Sequence, residues 1–362
     1  MYVIAHNASA VLGGGEIWTA LLLAGLRDRG HRVLMLCRNE EMAARAGAYG
    51  IPTGVQPIGG DVMLPDALRF AATLRRERPD AVLLTTFKKL LLAGMATRIA
   101  GVPFVVQRIG LEGDTPARSA RYRFALRRFV HRVALNAHGM RPGFLAGDPR
   151  LDPSRVIALL DGVRAPVRQA PAGTVRRELG IPAEAVVVGA VGRLASQKRF
   201  DRLLRALVAI PQPVHCVIAG EGPQRERLEA LARELGMAGR LHLLGFRGDV
   251  GDVLDALDLF VVSSDREGLA NAMLEAMAFG LPVVSTDVSG AREALEPDAG
   301  DPRPGIVVPV DEGALRDALA EMVRDGDARR AMGVAARERA ERLFGWERFL
   351  DDWERLLASG GG

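Results

Sequence analysis

Two carboxylates eight residues apart, Glu267 and Glu275, fall in the window VVSSDREGLANAMLEAMAFGLPVVSTDVSGARE at positions 261–293. The apolar run Leu257 to Val262 reads as a buried parallel strand, and Ser263 to Ala270 as the polar loop that leaves it. A helix follows, with Asn271 as the expected N-cap and Gly280 as its stop, and Pro282 opens the next strand. Glu267 is therefore expected on a loop at a strand end, and Glu275 in the first turns of the helix. A helix start offers free backbone N–H groups to an anion such as a diphosphate. A carboxylate accepts two hydroxyl hydrogen bonds at once, which is how a ribose diol is held.

A second cluster is cationic. The run VVVGAV at 186–191 leads into GRLASQKRF, which sets Arg193 and Lys198 on a strand-to-helix turn. Arg grips phosphate oxygens bidentately and Lys adds a compact charge. The competing reading is a solvated basic loop. The turn matches neither GxxxxGK[ST] nor GxGxxG. Two more turns follow at strand ends: GEGPQRE from Gly220, and HLLGF with Gly245 and Phe246. The first permits close backbone approach or simply a tight reversal, and the second offers backbone groups to a base or is an ordinary turn.

These loops need a scaffold, and 362 residues suffice for two domains. The first half alternates apolar runs with amphipathic stretches. Strands are expected at Val3–His6, Val33–Cys37, Ala81–Thr85, Phe104–Arg108, Val133–Asn136 and Val156–Leu160. The Pro- and Gly-rich segment Asp161 to Gly173 interrupts the alternation, and a second α/β series follows it. The expected architecture is α/β, two Rossmann-like doubly wound domains facing across a cleft. Their bounds are residues 1–163 and 164–344, with a final helix at 345–358 packing back on the first.

The two cysteines, Cys37 and Cys216, lie far apart in apolar runs and read as buried small hydrophobes in a reducing compartment. MYVIAH begins directly as a strand, so no signal peptide is expected, and charges interrupt the apolar stretch around Leu83 to Val106. The net charge is only +4, but Thr115 to Gly147 contains no acidic residue and carries seven arginines, from Arg118 to Arg141. The Arg118–Arg132 helix interleaves these with Tyr122, Phe124 and Phe129. It reads either as a helix with one solvated face or as a contact for an anionic membrane or acidic acceptor. Nucleic acid is the poorer partner, since no binding motif accompanies the charge.

Taken in order, GRLASQK, GEGP, LLGF and EGLANAMLEAMAFGLPVV resemble the retaining glycosyltransferases of family 4. The likeness extends more thinly to GGGE at Gly13 to Glu16 and to Asp161-Gly162. The resemblance implies a glycosyltransferase B fold and a UDP- or GDP-type sugar donor bound by the second domain, with no cofactor or required metal. Arg193 and Lys198 would hold the diphosphate and Glu275 the ribose. Glu267, with the backbone of Gly268, Leu269 and Ala270, would address the transferred sugar. Gly220, Gly245 and Phe246 complete the donor side, while Gly14, Gly15, Arg108 and His138 lie on the acceptor side.

Three positions depart from the family pattern: Ile109 stands where many members have a His, Asp161 where they have Asn, and Ala270 where they have Pro. Arg108 is the expected substitute for the missing His, and His6 is a further candidate. The implied enzyme is cytoplasmic, peripheral at the inner face of the membrane, and serves a lipid-linked or envelope saccharide. The alternatives are a nucleotide-sugar epimerase on the same fold and a degenerate, non-catalytic nucleotide-binding domain.

Overall fold

The computed structural model describes residues 1–9, 13–59, 64–211 and 213–361. The chain forms two compact units, one of Met1–Leu160 with Glu347–Gly362 and one of Asp161–Trp346. The first holds β1 (Tyr2–Asn7), β2 (Arg32–Cys37), β3 (Thr53–Val55), β4 (Ala81–Leu84), β5 (Phe104–Ile109), β6 (Arg132–Leu135) and β7 (Val156–Ala158). All pair in parallel, in the order β3-β2-β1-β4-β5-β6-β7.

The second unit holds β8 (Val186–Val191), β9 (Val214–Ala219), β10 (Leu241–Leu243), β11 (Leu259–Val262), β12 (Val283–Thr286) and β13 (Gly305–Val308). Its parallel order is β10-β9-β8-β11-β12-β13. Both sheets are doubly wound, and each reverses its winding beside its own first strand, at β1/β4 and at β8/β11. In such sheets the loops leaving the two strands at the reversal diverge and open a crevice at the carboxyl edge.

Composition explains the parallel pattern. Helices cover both sheet faces, so the strands read as continuous apolar runs rather than alternating ones. Val188 on β8 and Leu259 on β11 are fully buried, with Leu203, Leu207 and Leu319 from the helices packed into the same core. Each such side chain contributes about 1.5–3 kcal/mol on burial. The edge strand β3 escapes the sequence pattern because TGV is three residues long and its pattern is not apolar. The helices Thr174–Glu178, Val250–Asp255 and Ala291–Leu295 are likewise too short to show a period.

The last helix, Trp346–Ala358, belongs with the first unit from Glu347 onward. Trp353 and Phe349 meet the ring of Trp18 edge-on, at 5.2 and 5.7 Å. Arg29 fans out to Glu347, Asp351 and Glu354 at 2.7, 2.6 and 2.9 Å, all on one helical face. The buried aromatics carry most of this docking energy, since half-exposed ion pairs are worth at most about 1 kcal/mol each. No helix among the described residues is long and apolar enough to cross a membrane.

Candidate active site

The loops and the helix that leave β8 and β11 of the second unit carry the candidate side chains. Arg193 and Lys198 follow β8, while Glu267 and Glu275 follow β11, which pairs directly with β8. Strands 68 residues apart in sequence are thus neighbours: Leu259 lies opposite Val188 and Phe260 opposite Gly189. Between the strand ends sits a small hollow bordered by Lys198, Ser263, Ser264, Ala270 and Ala272.

The loop from Ser263 to Ala270 is tied down along its length. The Ser263 hydroxyl donates to the Lys198 carbonyl at 2.8 Å, and Arg202 donates to the Ser263 carbonyl at 2.9 Å. The Thr286 hydroxyl, at the end of β12, donates to the Ser264 carbonyl at 2.6 Å. Asp265 receives Arg202 at 2.6 Å and Arg199 at 3.2 Å. Arg199 itself takes a left-handed backbone (φ 50°), a strained choice for a non-glycine residue that these ion pairs help hold.

Glycine closes two approaches. A Cβ on Gly290 would come within 2.7 Å of the Gly268 carbonyl, to which its own N–H donates at 3.0 Å. A Cβ on Gly220 would come within 2.0 Å of the Gly192 carbonyl, so the loops after β8 and β9 can touch only because that residue is Gly. Gly220 N–H also donates to the Gly245 carbonyl at 2.7 Å, which pins the third loop and leaves Phe246 57% exposed beside it.

The two carboxylates differ. Glu267 is buried, pairs through Oε1 with the Lys198 ammonium at 2.7 Å and accepts the Ser264 hydroxyl at 2.8 Å. Glu275 is half-buried and has no hydrogen-bond or ion-pair partner among the described residues, and burial alone pushes its carboxyl up to about 7. Arg193 is exposed and also without a side-chain partner among them. Burying a carboxylate without a compensating partner costs free energy, which marks Glu275 as a candidate binding group.

The helix start corrects one expectation. Asn271 is the first residue of the helix, and Ala270 is the N-cap, in an extended conformation (φ −74°, ψ 111°) with no side-chain cap. That φ is one proline would adopt, so the chain reaches the same geometry through the bonds that fix the loop. The uncapped first turn leaves its donors without a side-chain acceptor, as an anion site requires.

In the first unit, Gly14 and Gly15 open the helix Gly14–Asp28 and are exposed. The Gly13 N–H is held by the Glu16 carboxylate at 2.9 Å, and a Cβ on Gly15 would meet nothing within 4 Å. The space over Gly15 is therefore open within this unit. His138 lies exposed on the turn after β6. Arg108 is buried, with its guanidinium stacked on the Trp18 ring at 3.7 Å, so it braces the aromatic cluster of the last helix. Ile109 is fully buried beside it.

His6 is a core residue. Its Nε2 lies 3.1 Å from the Gln56 carbonyl, its ring packs on Phe70, and burial lowers its pKa to about 4. Cys37 and Cys216 are free and buried, and their thiols are raised to about 11 and about 12 by burial. Sequence reasoning missed Ser263, Ser264, Arg202, Asp265 and Thr286. The signal was the SSDRE run just ahead of Glu267, but the partners that give it meaning lie on other elements.

The arginine block divides. Arg118 pairs with Asp114, Arg127 with buried Asp148, and Arg141 donates to the carbonyls of Val156 and Pro153. Arg121, Arg123 and Arg128 have no side-chain partner among the described residues, and Phe124 beside them is 51% exposed.

With this geometry, residues 173–339 match the family model for glycosyl transferases group 1, and residues 13–141 match the glycosyl transferase 4-like domain. Alpha-maltose-1-phosphate synthase of Mycolicibacterium smegmatis is 30% identical over 302 residues, covering 74% of this chain and 77% of its own. The chain belongs to the glycosyl transferases group 1 family, and its two parallel-sheet domains have the glycosyltransferase B fold.

The lipopolysaccharide core biosynthesis glycosyltransferase LpsE of Rhizobium meliloti is 34% identical over 185 residues, 51% of this chain and 53% of its own. That match spans about half the length of the relative. Among solved structures, Anabaena HepE in complex with UDP-glucose superposes with a TM-score of 0.86 at 22% identity, over 99% of this chain and 100% of that one.

Proposed function

We propose that the chain is a retaining glycosyltransferase that moves a sugar from a nucleotide-diphosphate donor to a saccharide of the cell envelope. The observation that carries this reading is the crevice at β8/β11. One loop brings an unpartnered Arg193 and the Lys198 ammonium, and the neighbouring strand brings Glu267 and an unpartnered, desolvated Glu275. The set matches the parts of a nucleotide-sugar: cations for the diphosphate, one carboxylate for the ribose and one for the sugar.

In this reading Glu275 accepts the ribose hydroxyls. Donor binding draws Lys198 toward the diphosphate, while Glu267 stays oriented by Ser264. The bond from the anomeric carbon to the diphosphate oxygen breaks as the acceptor oxygen attacks from the same face. The acceptor proton passes to the departing diphosphate, whose charge Arg193 and Lys198 stabilise in place of a metal ion. The UDP-glucose complex of the Anabaena relative supports a uridine donor, with GDP the other base class to test. The lipopolysaccharide role of the Rhizobium relative supports an envelope acceptor.

The unpartnered Arg121, Arg123 and Arg128 with exposed Phe124 support work in the cytoplasm at an anionic membrane surface. Salt-sensitive pelleting with anionic vesicles tests that part. Donor binding is tested by thermal shift with UDP, GDP and ADP. One nucleotide is expected to stabilise the wild type, and Glu275→Ala is expected to lose that stabilisation while remaining folded. A Glu275→Ala variant that still binds nucleotide and transfers sugar at full rate overturns the reading.

A further inference from the structure

The chain has only three lysines among 48 basic residues. Lys198 is in the donor crevice. The other two, Lys88 and Lys89, stand side by side in the short turn Phe87–Lys89, which leaves β4 at the matching reversal of the first sheet. That turn and the start of the helix Ala120–Phe129 bound an open pocket of about 110 Å³. Lys88, Lys89, Ser119, Arg121 and Tyr122 line it, over an apolar floor that includes Leu92.

The walls are partly fixed and partly uncommitted. The Lys89 ammonium donates to the Gly59 carbonyl, and the Tyr122 ring rests on Phe87 with centroids 4.6 Å apart. Lys88 and Arg121 have no side-chain partner among the described residues. Among the described residues no acidic side chain lines the pocket. The helix beginning at Ala120 carries Arg121 and Arg123 in its first turn and no acid there, the reverse of what its dipole favours. Three cations and a helix start around one concave space focus positive potential on it.

We propose that this pocket binds a phosphate group. An ammonium, a guanidinium fork and hydroxyls approaching from different sides suit a tetrahedral anion with several acceptor oxygens. The space exceeds one phosphate and has an apolar floor, so the group arrives attached to a larger molecule. On the transferase reading above, that molecule is the acceptor; the binding of phosphate itself does not depend on that reading.

The test is lysine-reactive labelling of the full chain, read residue by residue by mass spectrometry, since three lysines give three separable signals. Inorganic phosphate is expected to slow labelling of Lys88 several-fold against chloride at equal ionic strength. Arg121→Ala is expected to weaken that protection about tenfold. The thermal midpoint should not move, because Arg121 has no side-chain partner among the described residues.

Equal labelling in phosphate and chloride overturns the proposal, and so does undiminished protection in Arg121→Ala. Two vesicle arms, phosphatidic acid and phosphatidylcholine, identify the source. Protection by inorganic phosphate and by phosphatidic acid vesicles assigns a lipid-borne group, and protection by inorganic phosphate alone assigns a soluble phosphorylated acceptor. Protection by vesicles alone overturns the pocket in favour of a general surface. Phosphate protection in a chain that transfers no sugar would leave the pocket standing without the transferase reading. Sugar transfer with Lys88 unprotected would do the opposite.

Discussion

At the reversal of the second sheet, β8 and β11 deliver opposite charges that engage one another: Lys198 meets Glu267 at 2.7 Å, and the loop beneath them is bonded at nearly every residue. At the matching reversal of the first sheet, β1 carries a buried neutral His6 one residue before its end, and β4 leads into Lys88, which has no partner among the described residues. The same topology therefore supports a pre-organised crevice in one unit and an open cationic edge in the other. Sheet order sets where a ligand can bind, and the side chains on the loops set which ligand that is.

The largest expected effect breaks the engaged side. Lys198→Ala removes a diphosphate cation and leaves buried Glu267 with only its hydroxyl donor. We expect kcat/KM for sugar transfer to fall by about 10²–10³ or more, together with a drop in thermal midpoint. Arg193→Ala sharpens the contrast, because Arg193 has no side-chain partner among the described residues. Transfer should fall by about 10² while the midpoint stays in place. Equal stability losses in the two variants would erase the distinction between an engaged and an uncommitted cation.

Next comes pH, where the two units have opposite slopes. His6 is held near 4 in the fold against an ordinary value near 6.5, so its contribution is complete above 6.5 and is lost as pH falls toward 4, by about 3 kcal/mol in all. Glu275 is raised to about 7 against 4.5, so its carboxyl costs nothing below the ordinary value, and the second unit loses stability as pH rises from there to 7. Hydrogen exchange resolved by peptide should show the first unit loosening in acid, with His6→Gln flattening that response. Glu275→Gln should stabilise the ligand-free second unit by about 1–3 kcal/mol at about pH 8 and not at about pH 4. A Glu275→Gln gain that persists in acid would show that charge burial is not its cause.

The smallest effect concerns the open edge. Arg123→Ser and Arg128→Ser should each change stability by less than about 0.5 kcal/mol. Arg127→Ser should cost more, because it leaves the buried carboxylate of Asp148 without its 3.3 Å partner. Urea midpoints of the three variants check the ranking.

The sequence by itself determined the α/β class, most strands and the loops that carry chemistry. Those signals are local: VVVGAV is apolar throughout because a parallel strand is buried on both faces, and GRLASQK and the Glu267 to Glu275 spacing lie within single loops and helices. The tertiary structure alone decided which strands are neighbours, and so which loops share a crevice. It paired Lys198 with Glu267, left Glu275 without a partner among the described residues, moved the N-cap from Asn271 to Ala270, and turned Arg108 inward onto Trp18. Each of those outcomes depends on groups 60 to 90 residues apart, or on backbone geometry that a packed neighbour imposes. Residue type and spacing show what a side chain can do, and its surroundings in the fold decide whether that capacity is used internally or kept for a ligand.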